Sequence, residues 1–142
     1  MPNHVTVVAA VIEKDGKVLI GKRIRSFMGH PWEFPGGKIE PGETPEECLK
    51  REIREELGVE IQVTGLICTA WHIYDCQTSI ELLAYGAVHL SDEFTLVDHE
   101  EIRWVPVRDL NLYSFPEADY AVLQHLMKER ATGNDERSSV KP

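Results

Sequence analysis

Two rhythms of apolar residues run along this chain. Val5 to Ile12 is a nearly unbroken apolar run and Lys17 to Arg23 a shorter mixed one. Both read as strands, joined through Lys14-Asp15-Gly16, where glycine suits a turn at positive φ. Residues 24–44 hold Gly29, Pro31, Pro35, Gly36, Gly37, Pro41 and Gly42. That density of breakers predicts a structured loop, with strand content around Trp32 to Phe34. Helical spacing then takes over from Pro45 to Leu57, with Thr44 as the cap, Pro45 in the first turn and Gly58 as the stop. Ile61 to Tyr74, Ile80 to Leu90 and the short Ile102 to Val107 read as further strands. A second helix is expected from near Pro116 to about Glu129, with Ala121, Val122, Leu123, Leu126 and Met127 as its apolar face. From Ala131 the composition turns to small polar residues, which predicts one domain over 1–130 and a disordered tail over 131–142. Strands and helices alternating irregularly give an α+β fold around a mixed sheet.

Composition narrows the function more than the fold. The chain has 142 residues, 42% hydrophobic, which suffices for one core. A net charge of −9 argues against a nucleic-acid polymer, which calls for a basic stripe. A small anionic ligand stays open, because divalent cations reverse the sign of one local site. Val5 to Ile12 is too short to span a membrane and lacks a basic flank, so a cytoplasmic protein is expected. Cys48, Cys68 and Cys76 contain no C-x-x-C pair and read as reduced thiols.

The first helix carries the chemistry. At about 100° per residue, Leu49, Ile53 and Leu57 form a stripe that must face the core. Glu56 projects only about 20° from Leu49, and Glu52 and Glu55 lie beside it. Like charges at these spacings repel, and a carboxylate at a buried margin needs a partner. They also sit in the helix's C-terminal half, where the dipole disfavours anions. A hard cation such as Mg²⁺ answers all of this while keeping water for substrate phosphates. The plainer reading is a solvated acidic face, with Arg51 and Arg54 pairing neighbouring acids.

The wider pattern decides between these readings. Gly37, five residues, Glu43, seven residues, then Arg51-Glu52-Ile53-Arg54-Glu55-Glu56-Leu57-Gly58-Val59 matches every specified position of G-x5-E-x7-R-E-U-x-E-E-x-G-U, with U aliphatic. The chain therefore resembles the Nudix hydrolase family. Trp32-Glu33-Phe34-Pro35-Gly36-Gly37-Lys38-Ile39-Glu40, the Trp104 strand and Phe115-Pro116-Glu117-Ala118-Asp119 resemble its MutT-like branch of nucleoside triphosphate hydrolases. The resemblance implies a mixed sheet sandwiched between helices. It further implies that Glu52, Glu55 and Glu56, with the Gly37 carbonyl, bind Mg²⁺, for which Mn²⁺ can substitute. Arg51 would orient Glu52 and pair with Glu43, and Lys38 would approach substrate phosphate. An acid from the loop before Trp104, Asp98 or Glu101, would assist the metal or the water, with Glu55 of the helix as a third candidate for the base.

Substrate recognition follows the same resemblance. Arg23 matches a substrate-side arginine, and Asp119 stands where an 8-oxoguanine-directed relative has asparagine. An ionised carboxylate only accepts hydrogen bonds, so Asp119 favours an exocyclic amine such as cytosine N4. Phe34 and Tyr74 are candidates to stack on a base. None of the six histidines supports a catalytic assignment. The expected reaction is hydrolysis of a cytidine-type or damaged nucleoside triphosphate to monophosphate and pyrophosphate. ADP-ribose or dinucleoside polyphosphate hydrolysis, and a non-catalytic nucleotide sensor, are the alternatives. A small nucleotide is the expected partner, in a monomer or homodimer.

Overall fold

The computed structural model of the chain describes residues 3–27, 29–73 and 76–140, with side chains excepted at 26–27 and 130–140. β1 (Asn3–Lys14) and β2 (Lys17–Phe27) form the first hairpin, with both Asp15 (φ 53°) and Gly16 (φ 78°) at positive φ in its turn. β3 (His30–Glu33) and β4 (Gly36–Lys38) fill the loop that the sequence marks as structured. After α1 (Pro45–Leu57) come β5 (Ile61–Ile73), β6 (Thr78–His89) and β7 (His99–Pro106), then a short 3-10 helix (Val107–Leu112) and α2 (Glu117–Val140). The sheet has the order β3-β2-β1-β6-β5, with β7 also pairing β2 and β4 pairing β1. β1 runs parallel to β6 along most of its length, whereas its pairings with β2 and β4 are antiparallel. A mixed sheet with helices is therefore the observed architecture.

β1 is shared between two partners, and that opens the molecule. Its end pairs β2 at Glu13 and Lys14, but its middle, Val7 to Ala9, pairs β4. β2 and β3 thus splay away from β4, leaving a cleft between them. Gly36 makes this close pairing possible, because a Cβ there would sit 2.0 Å from the Val8 carbonyl oxygen.

The two faces of the sheet bury two separate cores. Leu49, Ile53 and Leu57 of α1 pack with Val8, Ala10 and Leu19 on one side. Val122, Leu123 and Leu126 of α2 pack with Ala9, Val11, Val18 and Ile20 on the other. α1 has the expected bounds: Thr44 and Glu47 form a reciprocal capping box, and Gly58 closes the helix at φ 69°. α2 departs from expectation at its far end, continuing beyond Glu129 to Val140 through the segment read as a tail. Gly133 and Asn134 are weak helix formers, but no proline interrupts before Pro142. Ala121 is exposed, so the apolar face of α2 is narrower than its sequence suggested. Among the described residues no helix is long and apolar enough to cross a membrane.

Candidate active site

Arg51 organises the acids of α1. Its guanidinium donates to both oxygens of Glu43, from Nε at 2.6 Å and from Nη2 at 3.0 Å. Nη1 reaches Glu52 at 3.0 Å and Glu55 at 3.2 Å. This grip holds the Glu43 carboxyl down at about 2, mainly through its hydrogen bonds to Arg51. The Glu52 carboxylate lies against the backbone of Gly37, where a Cβ would come within 2.3 Å of it. Glycine at 37 is thus required by a close approach, and it brings the loop backbone to the acid. Glu55 remains largely exposed.

Glu56 has a different setting. It is 5% exposed, and its Oε2 has no hydrogen-bond partner. Burial, followed by the charges of Glu33, Glu52 and Asp98, pushes its pKa up to about 8, with Arg23 opposing. An orphaned buried carboxylate oxygen among further acids is a site that lacks positive charge. Glu52, Glu55 and Glu56 supply the oxygen donors that a hard dication prefers, so the residues fit such an ion.

Behind Glu56 the structure assembles residues that the sequence did not single out. His99, 2% exposed, has its Nε2 2.8 Å from Glu33 Oε2, and Glu33 also accepts from Arg23 Nη1 at 3.2 Å. β3 and β7 flank β2, so Glu33 and His99 meet beside Gly21. A Cβ at Gly21 would lie 2.5 Å from the imidazole. The sequence hid His99 through a bulge. Strict alternation back from Trp104 and Ile102 puts residue 100 on the α1 face, but the register slips between Lys22 and Arg23 and puts His99 there. The only available signal was Glu33, a charged residue set between Trp32 and Phe34.

The same bulge separates the two loop acids. Glu101 pairs with Lys22, out of phase with Ile102, which packs on the α1 side; it is ion-paired to Arg103. Arg103 lies over the Trp32 and Tyr113 rings on the α2 side. Asp98 instead acts electrostatically on both Glu56 and Arg23. The structure thus brings Asp98 to the acid cluster and leaves Glu101 on the opposite face.

A cavity of about 480 Å³ opens in the cleft between β1/β4 and β2/β3. Arg23, Phe34, Gly37 and Asp119 line it, together with Glu33 and Arg25. Phe34 is buried and stacked on Phe115, with ring centroids 5.3 Å apart. Asp119 accepts a hydrogen bond from the Phe34 backbone N–H. Burial and the Glu33 charge nevertheless raise its pKa well above the usual carboxylate range. Lys38 is exposed and is not among the lining residues. Tyr74 lies outside the described residues.

A sheet clasped by two helices, with an arginine-bound acid cluster opening onto a cleft, is an arrangement that can hold a divalent cation beside a bound phosphate anhydride. The chain belongs to the Nudix family: the NUDIX domain model matches residues 2–126. It is 34% identical over 131 residues to a CTP pyrophosphohydrolase of Escherichia coli K12, covering 89% of this chain and 94% of that protein. It is 46% identical over 68 residues to an 8-oxo-dGTP diphosphatase of Proteus vulgaris, covering 46% of this chain and 61% of the relative. Among solved structures, the E. coli ORF135 protein superposes with a TM-score of 0.80 at 31% identity, covering 92% of this chain and 94% of that one. A MutT Nudix hydrolase from Burkholderia pseudomallei gives 0.77 at 30% identity, covering 87% and 98%. The protein is a nucleotide pyrophosphohydrolase, and its reaction depends on a divalent metal.

Proposed function

We propose that the chain hydrolyses a nucleoside triphosphate, cytidine-type in preference to damaged purines, to the monophosphate and pyrophosphate. The observation that carries this reading is the position of Gly37. It lines the cavity and also abuts the Glu52 carboxylate, so a nucleotide in the cleft has its phosphates at the acid cluster.

In this reading Glu52, Glu55 and Glu56, with the Gly37 carbonyl, hold Mg²⁺, for which Mn²⁺ can substitute. The bound cation neutralises phosphate oxygens and lowers the pKa of the attacking water. Arg51, anchored by Glu43, keeps Glu52 aimed. Of the two loop acids, we assign Asp98 rather than Glu101 as the partner of the attacking water, because Asp98 acts on Glu56 while Glu101 is ion-paired to Arg103. Arg23 faces the substrate from the cleft, and Lys38 meets phosphate only from the exterior.

The raised pKa of Asp119 refines its expected role in base reading. A protonated carboxyl presents an acceptor beside a donor, whereas an ionised one only accepts. Cytosine offers N4–H, which an Asp119 oxygen accepts in either state, and N3, which Asp119 meets only when protonated. The likeness to a CTP pyrophosphohydrolase supports this assignment. We place the enzyme in the cytoplasm, as a monomer or homodimer.

The test is turnover of a panel of normal and oxidised triphosphates, ADP-ribose and diadenosine polyphosphates under Mg²⁺, with products separated by ion exchange and Glu56→Gln as control. Monophosphate plus pyrophosphate from CTP or a modified CTP is expected. Asp119→Ala should lower kcat/KM for that substrate about 10- to 100-fold relative to the other triphosphates, the loss of buried hydrogen bonds. An unchanged ranking of bases in this variant would remove Asp119 from recognition.

A further inference from the structure

The Glu33–Glu56–His99 cluster has a donor set that the helix acids lack. One donor atom from each of these residues lies within 4.8 Å of the others. All three are substantially buried, and Glu56 Oε2 has no hydrogen-bond partner. An unsatisfied oxygen on a side chain as buried as Glu56 is costly unless something outside the chain completes it. The 2.8 Å between His99 Nε2 and Glu33 Oε2 is close to the ~3 Å that separates neighbouring donors around a cation with bonds of about 2.1 Å.

Charge points the same way. Glu33, Glu52 and Asp98 all act unfavourably on an ionised Glu56, and Arg23 is the cation that opposes them. Arg23 is itself engaged by Glu33 through Nη1. The imidazole is held in place by packing, because nothing larger than the hydrogen of Gly21 fits beneath it. A rigid nitrogen donor on β7 within reach of two buried carboxylates, one on β3 and one on α1, is a built site.

We propose that Glu33, Glu56 and His99 form a second cation site behind the helix acids, one that takes Mn²⁺ or another first-row transition-metal dication in preference to Mg²⁺. Imidazole nitrogen is a poor ligand for Mg²⁺, which demands oxygen donors, and a good one for transition metals. Sharing Glu56 couples this site to the helix cation, and the Glu33–Arg23 pair couples it to the cleft. The proposal rests on the reading of Glu56 as a metal-facing acid, but its test reads binding and not turnover.

The experiment is a Mn²⁺ titration of the metal-free full chain, followed by electron paramagnetic resonance for stoichiometry and by spin-echo modulation for coupled nitrogen. Wild type should show a bound Mn²⁺ coupled to an imidazole nitrogen, which Mg²⁺ in several-fold excess fails to displace. His99→Gln should abolish the nitrogen signal and weaken that site at least ~10-fold. Glu52→Gln should keep the signal, which separates this site from the helix acids. If circular dichroism finds His99→Gln unfolded, Glu33→Gln is read instead, with the same weakening expected. No nitrogen coupling in wild type at saturation overturns the proposal, as does a signal that survives in folded His99→Gln or an affinity unchanged in Glu33→Gln. Failure of the proposed reaction would appear separately, as absent turnover in the substrate panel.

Discussion

Arg51 and Arg23 each hold glutamates at the edge of the same site, yet they are built in opposite ways. Arg51 binds Glu43, Glu52 and Glu55, all within one helix and the loop before it. Arg23 binds Glu33, which meets His99, so this cluster spans three strands. The first cluster is organised by helical periodicity and remains partly solvated. The second depends on strand register, a bulge and a glycine, and its histidine is buried. Local geometry thus builds the more solvated, arginine-bound side of the site, and long-range packing builds its buried side.

The sharpest challenge to this contrast is Glu56, where the clusters meet. Glu56→Gln should lower kcat by about 10³-fold, as expected for loss of a group that stabilises transition-state charge through the metal. Thermal denaturation of the metal-free variant above pH 8, where Glu56 is ionised, should show a Tm no lower than wild type, since a buried carboxylate with an unpartnered oxygen is replaced by a neutral amide. A large drop in Tm would make Glu56 a structural residue.

Next in size is the effect of the bulge. Asp98→Asn should cost about 10²-fold in kcat, the range for a general base, while Glu101→Gln should leave kcat within a few-fold. Reversal of that order in steady-state kinetics would mean that Glu101 reaches the α1 side in the working enzyme.

Paired lysine substitutions separate the two arginines. Arg51→Lys keeps the charge but loses the planar fork that spans Glu43 and Glu52. It should weaken Mg²⁺ binding about 10- to 100-fold by calorimetry, in line with loss of a group that orients a metal ligand. Arg23→Lys should leave Mg²⁺ affinity nearly unchanged and raise KM. Equal effects of the two substitutions on Mg²⁺ would erase the distinction between the clusters.

The smallest effect is on acid stability. Glu43 titrates at about 2 in the folded chain against an ordinary value of 4.5. Its contribution is therefore full above pH 4.5 and is lost as pH falls toward 2. Arg51→Ala should flatten that part of the Tm profile slightly, the modest size reflecting solvent screening of a pair at the helix surface.

Much of this molecule was written locally. The capping box of Thr44 and Glu47, the closing Gly58, the buried stripe of Leu49, Ile53 and Leu57, and Glu56 at its edge all follow from spacing within α1. Spacing also put Arg51 one turn before Glu55, whereas its pairing with Glu43 in the loop before the helix was implied only by the family resemblance. Tertiary structure alone decided the rest. β1 divides its pairing between β2 and β4 and so opens the cleft that Arg23, Phe34 and Asp119 share. The slip between β2 and β7 delivers His99 and Asp98 to the α1 side and turns Glu101 away. The surroundings of Asp119 in the fold and the Glu33 charge raise its pKa, which the sequence alone does not show. A helix encodes its contacts through intervals of three and four residues. A sheet encodes them through register, which depends on partner strands far away in the chain and reverses every facing when it slips by one residue.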